Sequence, residues 1–278
     1  MHASTFMQKL EERWSGRHFL CVGLDSEYSK LPEMLKKGSV EDALLAFNKA
    51  IIDATADTVC TFKPNSAFYE AEGKDGYQAL KKTVEYIHEA YPDIPVILDA
   101  KRGDIGNTNA AYARAVFDDL QVDAVTVSPF MGKESLKPFL ERKEKGIFVL
   151  SKTSNPGSGE FQDIRTAETG EPLYLFISRT VFESWNEFGN CGLAVGTTYP
   201  KEIAAIRAVV GDMPLLMPGV GPQGGDVATT VSAGKGINTF AMIINASRAV
   251  IYASDGNDFA DAAKKAALSL SQEIEKSL

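Results

Sequence analysis

The fold is indicated first by the segment Pro95-Val-Ile-Leu-Asp-Ala-Lys-Arg-Gly-Asp104. Its first four residues form a short apolar run, and charged residues begin directly after Leu98. A continuous apolar run of this kind is typical of a parallel strand that is covered on both faces. Polar residues at the carboxyl end of such a strand are typical of the working edge of an α/β fold. The segment therefore predicts a strand of a parallel sheet with a functional site at its end.

The same pattern recurs along all 278 residues, and segments of helical period lie between the apolar runs. Eight strand–helix units without a linker-like break predict one (β/α)8 TIM barrel domain over residues 1–278, with an open doubly wound sheet as the alternative. An extra N-terminal helix is predicted over residues Met1 to Gly16. The strand candidates are Phe19–Leu24, Thr58–Phe62, Pro95–Leu98, Ala124–Val127, Gly146–Leu150, Gly192–Val195, Pro214–Met217 and Thr239–Ile244.

Two of the intervening segments show their buried faces clearly. One apolar face is formed by residues spaced three or four apart, and a second follows Asp258, a candidate N-cap. The first face consists of Tyr77, Leu80, Val84 and Ile87, and the second of Phe259, Ala263, Ala266, Leu270 and Ile274.

Composition excludes several classes of function. The formal net charge of −8 argues against a surface that coats nucleic acid or an anionic membrane. No apolar run is long enough to span a bilayer, and the N-terminus lacks the apolar core of a signal peptide. The three cysteines, Cys21, Cys60 and Cys191, have no metal-ligand spacing, which predicts buried thiols in a reducing cytoplasm. Three histidines leave little material for a zinc site or a catalytic triad, so we expect chemistry based on carboxylates, amines and backbone groups.

Polar residues follow several of the predicted strands. In a barrel these positions meet at one mouth, at the carboxyl ends of the strands. The residues are Asp25 after strand one, Lys63 after strand two, Asp99 and Lys101 after strand three, Ser154 after strand five and Arg248 after strand eight.

The densest group follows strand three. The two-residue period of a strand predicts that Asp99 and Lys101 share the inward face, while Asp104 projects from the following turn or from the start of the next helix. Lys63 from the neighbouring strand joins them, which gives alternating ammonium groups and carboxylates. Ammonium groups can stabilise a developing carbanion and then protonate it, as in decarboxylation or enolisation of an anionic substrate. The alternative is an ion-pair network with a structural role.

The run Pro218–Asp226 after strand seven contains a formal G-x-G-x-x-G. No acidic residue occurs between Val227 and Ser254, so the run does not fit a dinucleotide-binding fingerprint. A glycine-rich loop at this point of a barrel is typical of a phosphate site. Gln223 can donate to the phosphate through its amide, and Arg248 can contact it with two N–H groups. The alternative is a structural turn beside a surface arginine.

The segment from Asp99 to Thr108, D-A-K-R-G-D-I-G-N-T, resembles the D-x-K-x-x-D-I-x-x-T signature of the orotidine 5′-phosphate decarboxylase family. Its K-R-G-D-I-G form and the K-T-S-N-P-G run at Lys152–Gly157 resemble the longer bacterial branch (type 2) of that family. The resemblance extends over most of the chain. Further matching segments are Leu24-Asp25, Phe62–Asn65, Pro218–Asp226 and Asn245–Arg248.

The resemblance implies a homodimeric enzyme without metal or cofactor. Such an enzyme converts orotidine 5′-phosphate to UMP and CO₂, the last step of de novo pyrimidine biosynthesis. By matching position, the resemblance implies that Lys101 protonates C6 of the pyrimidine, that Asp99 lies near the departing carboxylate, and that Lys63 links the charges.

The remaining site residues are also assigned by the resemblance. Asp104 and Thr108 are expected to reach across the dimer interface into the partner's site. Asp25 and Lys63 are expected to bind ribose hydroxyls. Ser154 is expected at the pyrimidine edge, with Gln223 and Arg248 at the phosphate. The glycine-rich loop Pro218–Asp226 is expected to close over that phosphate.

The chain differs from the shorter branch of the family at two places. Ser247 stands where that branch has glycine before the phosphate-binding arginine. Pro64-Asn65 stand where a small apolar residue and glycine follow the strand-two lysine. Two other functions remain as alternatives: a Mg²⁺-dependent sugar-phosphate decarboxylase or aldolase on a related barrel, and a nucleotide-binding barrel without catalytic activity.

Overall fold

The eight expected strands form one parallel sheet in the computed structural model, which describes residues 5–220 and 225–278. Numbered along the chain, the strands follow the hydrogen-bonded order 2-1-8-7-6-5-4-3. Parallel bridges from Phe62 to Val96 and from Asn65 to Asp99 join the two end strands. The sheet is therefore a (β/α)8 barrel, and the open-sheet alternative is wrong. The strands are β1 Leu20–Leu24, β2 Val59–Pro64, β3 Ile97–Arg102, β4 Ala124–Val127, β5 Gly146–Leu150, β6 Cys191–Ala194, β7 Leu215–Pro218 and β8 Met242–Ala246.

Helices connect the strands and cover the outside of the barrel. Two of them, Gly106–Ala113 and Leu173–Thr180, continue into short π-helical segments, Arg114–Asp119 and Val181–Trp185. None of the helices in the described ranges is both long enough and apolar enough to cross a membrane. The helices are α1 Phe6–Ser15, α2 Val40–Thr55, α3 Ser66–Glu70, α4 Gly73–Ala90, α5 Gly106–Ala113, α6 Gly132–Leu140, α7 Gly159–Gln162, α8 Leu173–Thr180, α9 Pro200–Val210, α10 Val227–Gly234, α11 Arg248–Ile251 and α12 Phe259–Lys276.

The extra N-terminal helix is confirmed as α1. It begins at Phe6 because Thr5 caps it: the Thr5 hydroxyl accepts from the Gln8 amide, and the Gln8 side chain accepts from the Thr5 amide. Phe6 packs against Phe148 of β5, and the Trp14 indole donates to the Met242 carbonyl of β8 at 2.9 Å. The helix therefore covers the amino ends of the strands, opposite the expected site. The first four residues of the predicted helix lie outside the described residues.

Several strands end later than the sequence predicts. β2 continues through Lys63 to Pro64, β3 runs from Ile97 to Arg102, and β8 from Met242 to Ala246. The apolar pattern stops at the first charged residue, but the backbone pairing does not, since Gly23 of β1 still pairs with Lys63. The charged residues after strands two and three are therefore part of β2 and β3.

The helical faces are largely as expected. In α4, Leu80, Val84 and Ile87 are buried, and Tyr77 packs against the core. Asp258 occupies the N-cap position of α12, as expected, but its side chain forms no capping bond. Its backbone has φ −93° and ψ 11° instead of an extended conformation, and its carboxylate accepts from the Ser254 hydroxyl at 2.6 Å. Cys21, Cys60 and Cys191 are buried free thiols, as predicted.

Candidate active site

Lys63 lies at the centre of the charged group at the barrel mouth. Its side chain is only 3% exposed, and its Nζ lies 3.9 Å from Asp25 Oδ1 and 3.5 Å from Asp99 Oδ2. Burial disfavours the ammonium form, but the two carboxylates outweigh that effect, so the pKa of Lys63 lies above its ordinary value. Lys63 is therefore a fixed positive charge between two negative ones.

Asp99 joins Lys63 to Lys101. Its Oδ1 accepts from Lys101 Nζ at 2.7 Å, and Thr126 Oγ1 donates to the same oxygen at 2.8 Å. Burial opposes ionisation of Asp99, but Lys63 and Lys101 outweigh it and hold the pKa of this carboxyl below its ordinary value. We refer to Asp25, Lys63, Asp99 and Lys101 as the lysine–aspartate network. Lys63, Asp99 and Lys101 therefore alternate in charge as expected, with Asp25 as the second carboxylate of the group in place of Asp104.

Regular strand alternation does not bring Asp99 and Lys101 together, contrary to the prediction from the strand period. The pairing of β3 with β4 is interrupted between Leu98 and Arg102, and Lys101 has a positive φ of 46°. Gly103 then passes so close to the next loop that a Cβ there would lie 2.8 Å from the Ser128 carbonyl oxygen. An irregular backbone at the end of β3, fixed against β4, thus directs the Lys101 ammonium back to Asp99.

Asp104 and Thr108 lie apart from the network within one chain. Asp104 is exposed, and its carboxylate accepts from the Ile105 amide at 2.6 Å. The turn is held by Asn109, whose side chain bonds both the amide and the carbonyl of Asp104. Across the described ranges, no ion pair within 4.0 Å involves Asp104. Thr108 is half-buried on α5. The structure therefore does not bring these two residues to Lys101 of the same chain.

The base of the expected phosphate loop is well defined. Gly219 has a φ of +104°, its amide faces the Asn245 carbonyl of β8, and its carbonyl accepts from the Gly225 amide at 2.9 Å. Ser154 is exposed, and its Oγ would lie 3.9 Å from a Cβ at Gly219. Ser154 and this loop therefore lie on one side of the mouth. Gln223 and the centre of the loop lie outside the described residues, so their binding and closure stay predictions.

Arg248 is exposed at the start of α11. It lines an open cavity of about 560 Å³ together with Tyr252 and the segment between Ser29 and Lys36. Because Arg248 follows β8 and the loop base contacts Asn245 of β8, the arginine and the loop lie at adjacent strand ends.

Sequence reasoning missed two side chains beside the site. Thr126 is the polar residue in the otherwise apolar β4, which is the signal that could have indicated it. Lys152 is 2% exposed, with Nζ 2.6 Å from Asp163 Oδ1 and 4.8 Å from the centre of the Tyr199 ring. It supports the loop that carries Ser154, and its place at the start of the K-T-S-N-P-G run, just after β5, is the signal that could have indicated it.

The fold and the site together define a class of protein: a (β/α)8 barrel whose mouth carries alternating lysines and aspartates. The sequence model described as "Orotidine 5'-phosphate decarboxylase / HUMPS family" matches residues 18–264. The chain belongs to this family.

Curated relatives support this assignment over nearly the full chain. A protein from Cellvibrio japonicus, named orotidine 5′-phosphate decarboxylase, is 49% identical over 271 residues, which cover 97% of this chain and 98% of that protein. A protein of the same name from Herpetosiphon aurantiacus is 51% identical over 263 residues, which cover 94% and 95%. The solved structure of Leishmania donovani OMP decarboxylase matches with a TM-score of 0.85 and 35% identity, over 98% of each chain.

Proposed function

We propose that the protein converts orotidine 5′-phosphate to UMP and CO₂, the last step of de novo pyrimidine biosynthesis. The observation that carries this proposal is the lysine–aspartate network, in a chain that belongs to the decarboxylase family. The side chain of Lys101 is 51% exposed, although Asp99 holds its ammonium at 2.7 Å. A proton donor is therefore fixed in direction and still accessible to a ligand in the mouth.

In the proposed reaction the bond between C6 and the carboxylate carbon breaks, and its electron pair stays on C6. Lys101 transfers a proton to C6 while CO₂ leaves, and the neutral amine then regains a proton from solvent. Lys63 and Lys101 stabilise the negative charge that develops at C6. Asp99, whose pKa lies below its ordinary value, stays ionised near the departing carboxylate. All of these charges come from the protein, so we propose a reaction without metal or cofactor.

Substrate binding is proposed to use the groups around this network. Asp25 Oδ1 is buried and has no hydrogen-bond partner among the described residues, because Lys63 Nζ is 3.9 Å away. An acceptor in this state suits a ribose hydroxyl, which Lys63 would also contact. Ser154 is proposed at the pyrimidine edge, and Gln223 and Arg248 at the phosphate.

The decisive experiment is a decarboxylation assay with purified protein, orotidine 5′-phosphate and no added metal. We expect the substrate absorbance to fall at the same rate with and without EDTA. Loss of activity in EDTA would favour the Mg²⁺-dependent barrel enzyme. Tight UMP binding without turnover would favour the non-catalytic barrel.

We also propose a homodimer with shared active sites, in which Asp104 and Thr108 complete the partner's site. Two observations support it: Asp104 lies exposed and apart from Lys101 of its own chain, and large apolar side chains are exposed on the loops after β3 and β4. These side chains are Ile105, 52% exposed, and Phe130, 91% exposed.

Mixing Asp104→Ala and Lys101→Ala subunits tests the shared site. Each hybrid dimer has one site with both native residues, so we expect roughly a quarter of the native activity after random mixing. Hybrids that form and stay inactive would reject the cross-subunit assignment of Asp104.

We place the chain in the longer bacterial branch (type 2) of the family. The K-R-G-D-I-G and K-T-S-N-P-G runs and the near-complete coverage of bacterial relatives support this placement. The buried free cysteines support a cytoplasmic location. We further propose that residues 1–278 fold as one domain, for which a single cooperative unfolding transition is the expected result.

A further inference from the structure

Thr126 lies beneath the lysine–aspartate network, in the middle of β4, and is only 1% exposed. Its hydroxyl donates to Asp99 Oδ1 at 2.8 Å and accepts from the amides of Ala100 at 3.1 Å and Lys101 at 3.0 Å. A hydroxyl has one proton and two lone pairs, so these three bonds use its full capacity. One side chain therefore contacts the carboxylate and the backbone of the segment that carries the ammonium.

The position of Thr126 coincides with the interruption of the β3–β4 pairing. Leu98 pairs with Val125 and Arg102 with Val127, so the intervening residues form no regular ladder bonds with β4. A buried amide without a partner is costly, and here the Thr126 hydroxyl replaces the missing ladder acceptor for two of them. It also holds Lys101 at a positive φ of 46°, a conformation that residues other than glycine rarely adopt.

We propose that Thr126 is a positioning residue for the decarboxylation, which rests on the function proposed above. It acts through Asp99 and Lys101: its proton fixes the carboxylate oxygen that binds the Lys101 ammonium, and its lone pairs fix the backbone turn of Lys101. Thr126 does not reach the substrate. Its removal therefore lowers kcat, which depends on where the ammonium lies, and leaves the groups that bind ribose and phosphate in place.

The experiment separates the hydroxyl from the volume of the side chain. Thr126→Val keeps the shape and removes all three hydrogen bonds, while Thr126→Ser keeps the hydroxyl and removes a methyl group. The matched control is Thr61→Val, because Thr61 is a fully buried strand threonine whose hydroxyl donates to the Pro95 carbonyl, outside the network.

We expect T126V to lower kcat about 10- to 100-fold, the effect of losing a hydrogen bond to a charged group. KM and the dissociation constant of UMP should stay within about 3-fold, since uniform binding is retained. T126S should keep kcat within about 3-fold of the native protein, and so should T61V. In the crystal structure of T126V, Lys101 should leave its positive φ and its ammonium should move away from Asp99.

The proposal is overturned if T126V keeps native kcat, if T126S is impaired as much as T126V, or if KM changes while kcat does not. If T126V does not fold, T126C takes its place, since its weak thiol donor must still lower kcat relative to T126S. An inactive native protein would reject the proposed function instead. The Lys101 conformation in the crystal structure of T126V would then still decide whether Thr126 positions the network.

Discussion

Two carboxylates with little exposed surface, Asp99 and Asp123, lie at opposite ends of the barrel and have similar surroundings. Their side chains are 14% and 11% exposed, and each pairs with lysine. Asp123 Oδ1 accepts from Lys9 Nζ at 3.1 Å, and its Oδ2 lies 2.9 Å from the Val96 amide and 2.9 Å from His88 Nε2. Burial opposes ionisation at both carboxyls and is outweighed at both, so both pKa values lie below the ordinary value.

The two networks differ in whether their polar groups already have hydrogen-bond partners and in how exposed their lysines are. Both oxygens of Asp123 have partners from the protein, and its lysine, Lys9 of α1, is only 16% exposed. At the other end, Asp25 Oδ1 has no hydrogen-bond partner among the described residues, and Lys101 is 51% exposed. Buried charge therefore does not identify a site by itself. A network whose polar groups all have hydrogen-bond partners stabilises the fold. A network at the barrel mouth that keeps an acceptor without such a partner and an exposed ammonium can bind a ligand and react.

The largest effect that this comparison predicts is on activity, at Lys101. We expect Lys101→Ala to lower kcat by a factor of at least about 10³, because the proposed proton donor is lost. Its half-exposed side chain contributes little to packing, so the midpoint of thermal unfolding should stay close to the native value. The matched variant, Lys9→Met at the other network, should keep kcat within about 2-fold. Retained turnover in K101A would reject the proposed mechanism.

The second prediction concerns stability, at Asp123. We expect Asp123→Asn to lower the free energy of unfolding by about 2–4 kcal/mol, because Lys9 then loses its counter-charge in a covered site. The barrel mouth is untouched, so kcat should remain native. Urea unfolding and initial rates measured on the same preparation test both parts. A D123N protein with native stability and low kcat would reverse the roles that we assign to the two ends.

The third prediction concerns how the stability lost in D123N depends on pH. The pKa of Asp123 is lowered in the folded state, so its stabilisation is complete above the unfolded value and disappears as the pH falls through the folded value. The difference in unfolding free energy between native protein and D123N should therefore shrink from about pH 5 downward. A difference that grows with acidification would show that the carboxylate is not the stabilising form.

The sequence predicts the network at the barrel mouth far better than the Asp123 network at the opposite end. Asp25, Lys63, Asp99 and Lys101 each follow an apolar run, so a rule about strand ends predicts that they meet. Asp123 pairs with Lys9 and His88, which lie 114 and 35 residues away in the chain. No local sequence pattern predicts that these three residues meet.

The irregular end of β3 was equally inaccessible from sequence. Lys101, at its positive φ, donates its amide to Thr126, which is 25 residues further along the chain. Strand period correctly indicated that Asp99 and Lys101 meet but gave the wrong geometry. Patterns in sequence predict which residues lie at the mouth, and packing between strands determines their orientation.

The smallest predicted effect tests whether the stabilisation by the Asp123 network comes from its burial or only from the short distance between its charges. Arg17 Nε lies 2.6 Å from Glu275 Oε1, closer than Lys9 lies to Asp123, but both side chains are about half exposed, 49% and 48%. Water solvates both charges when the pair is broken, so Glu275→Gln should cost only about 0.2–1 kcal/mol, and less at high salt. Urea unfolding at low and high salt measures this loss beside that of D123N. Equal losses in the two variants would mean that the covering helix α1 adds nothing to the Asp123 network.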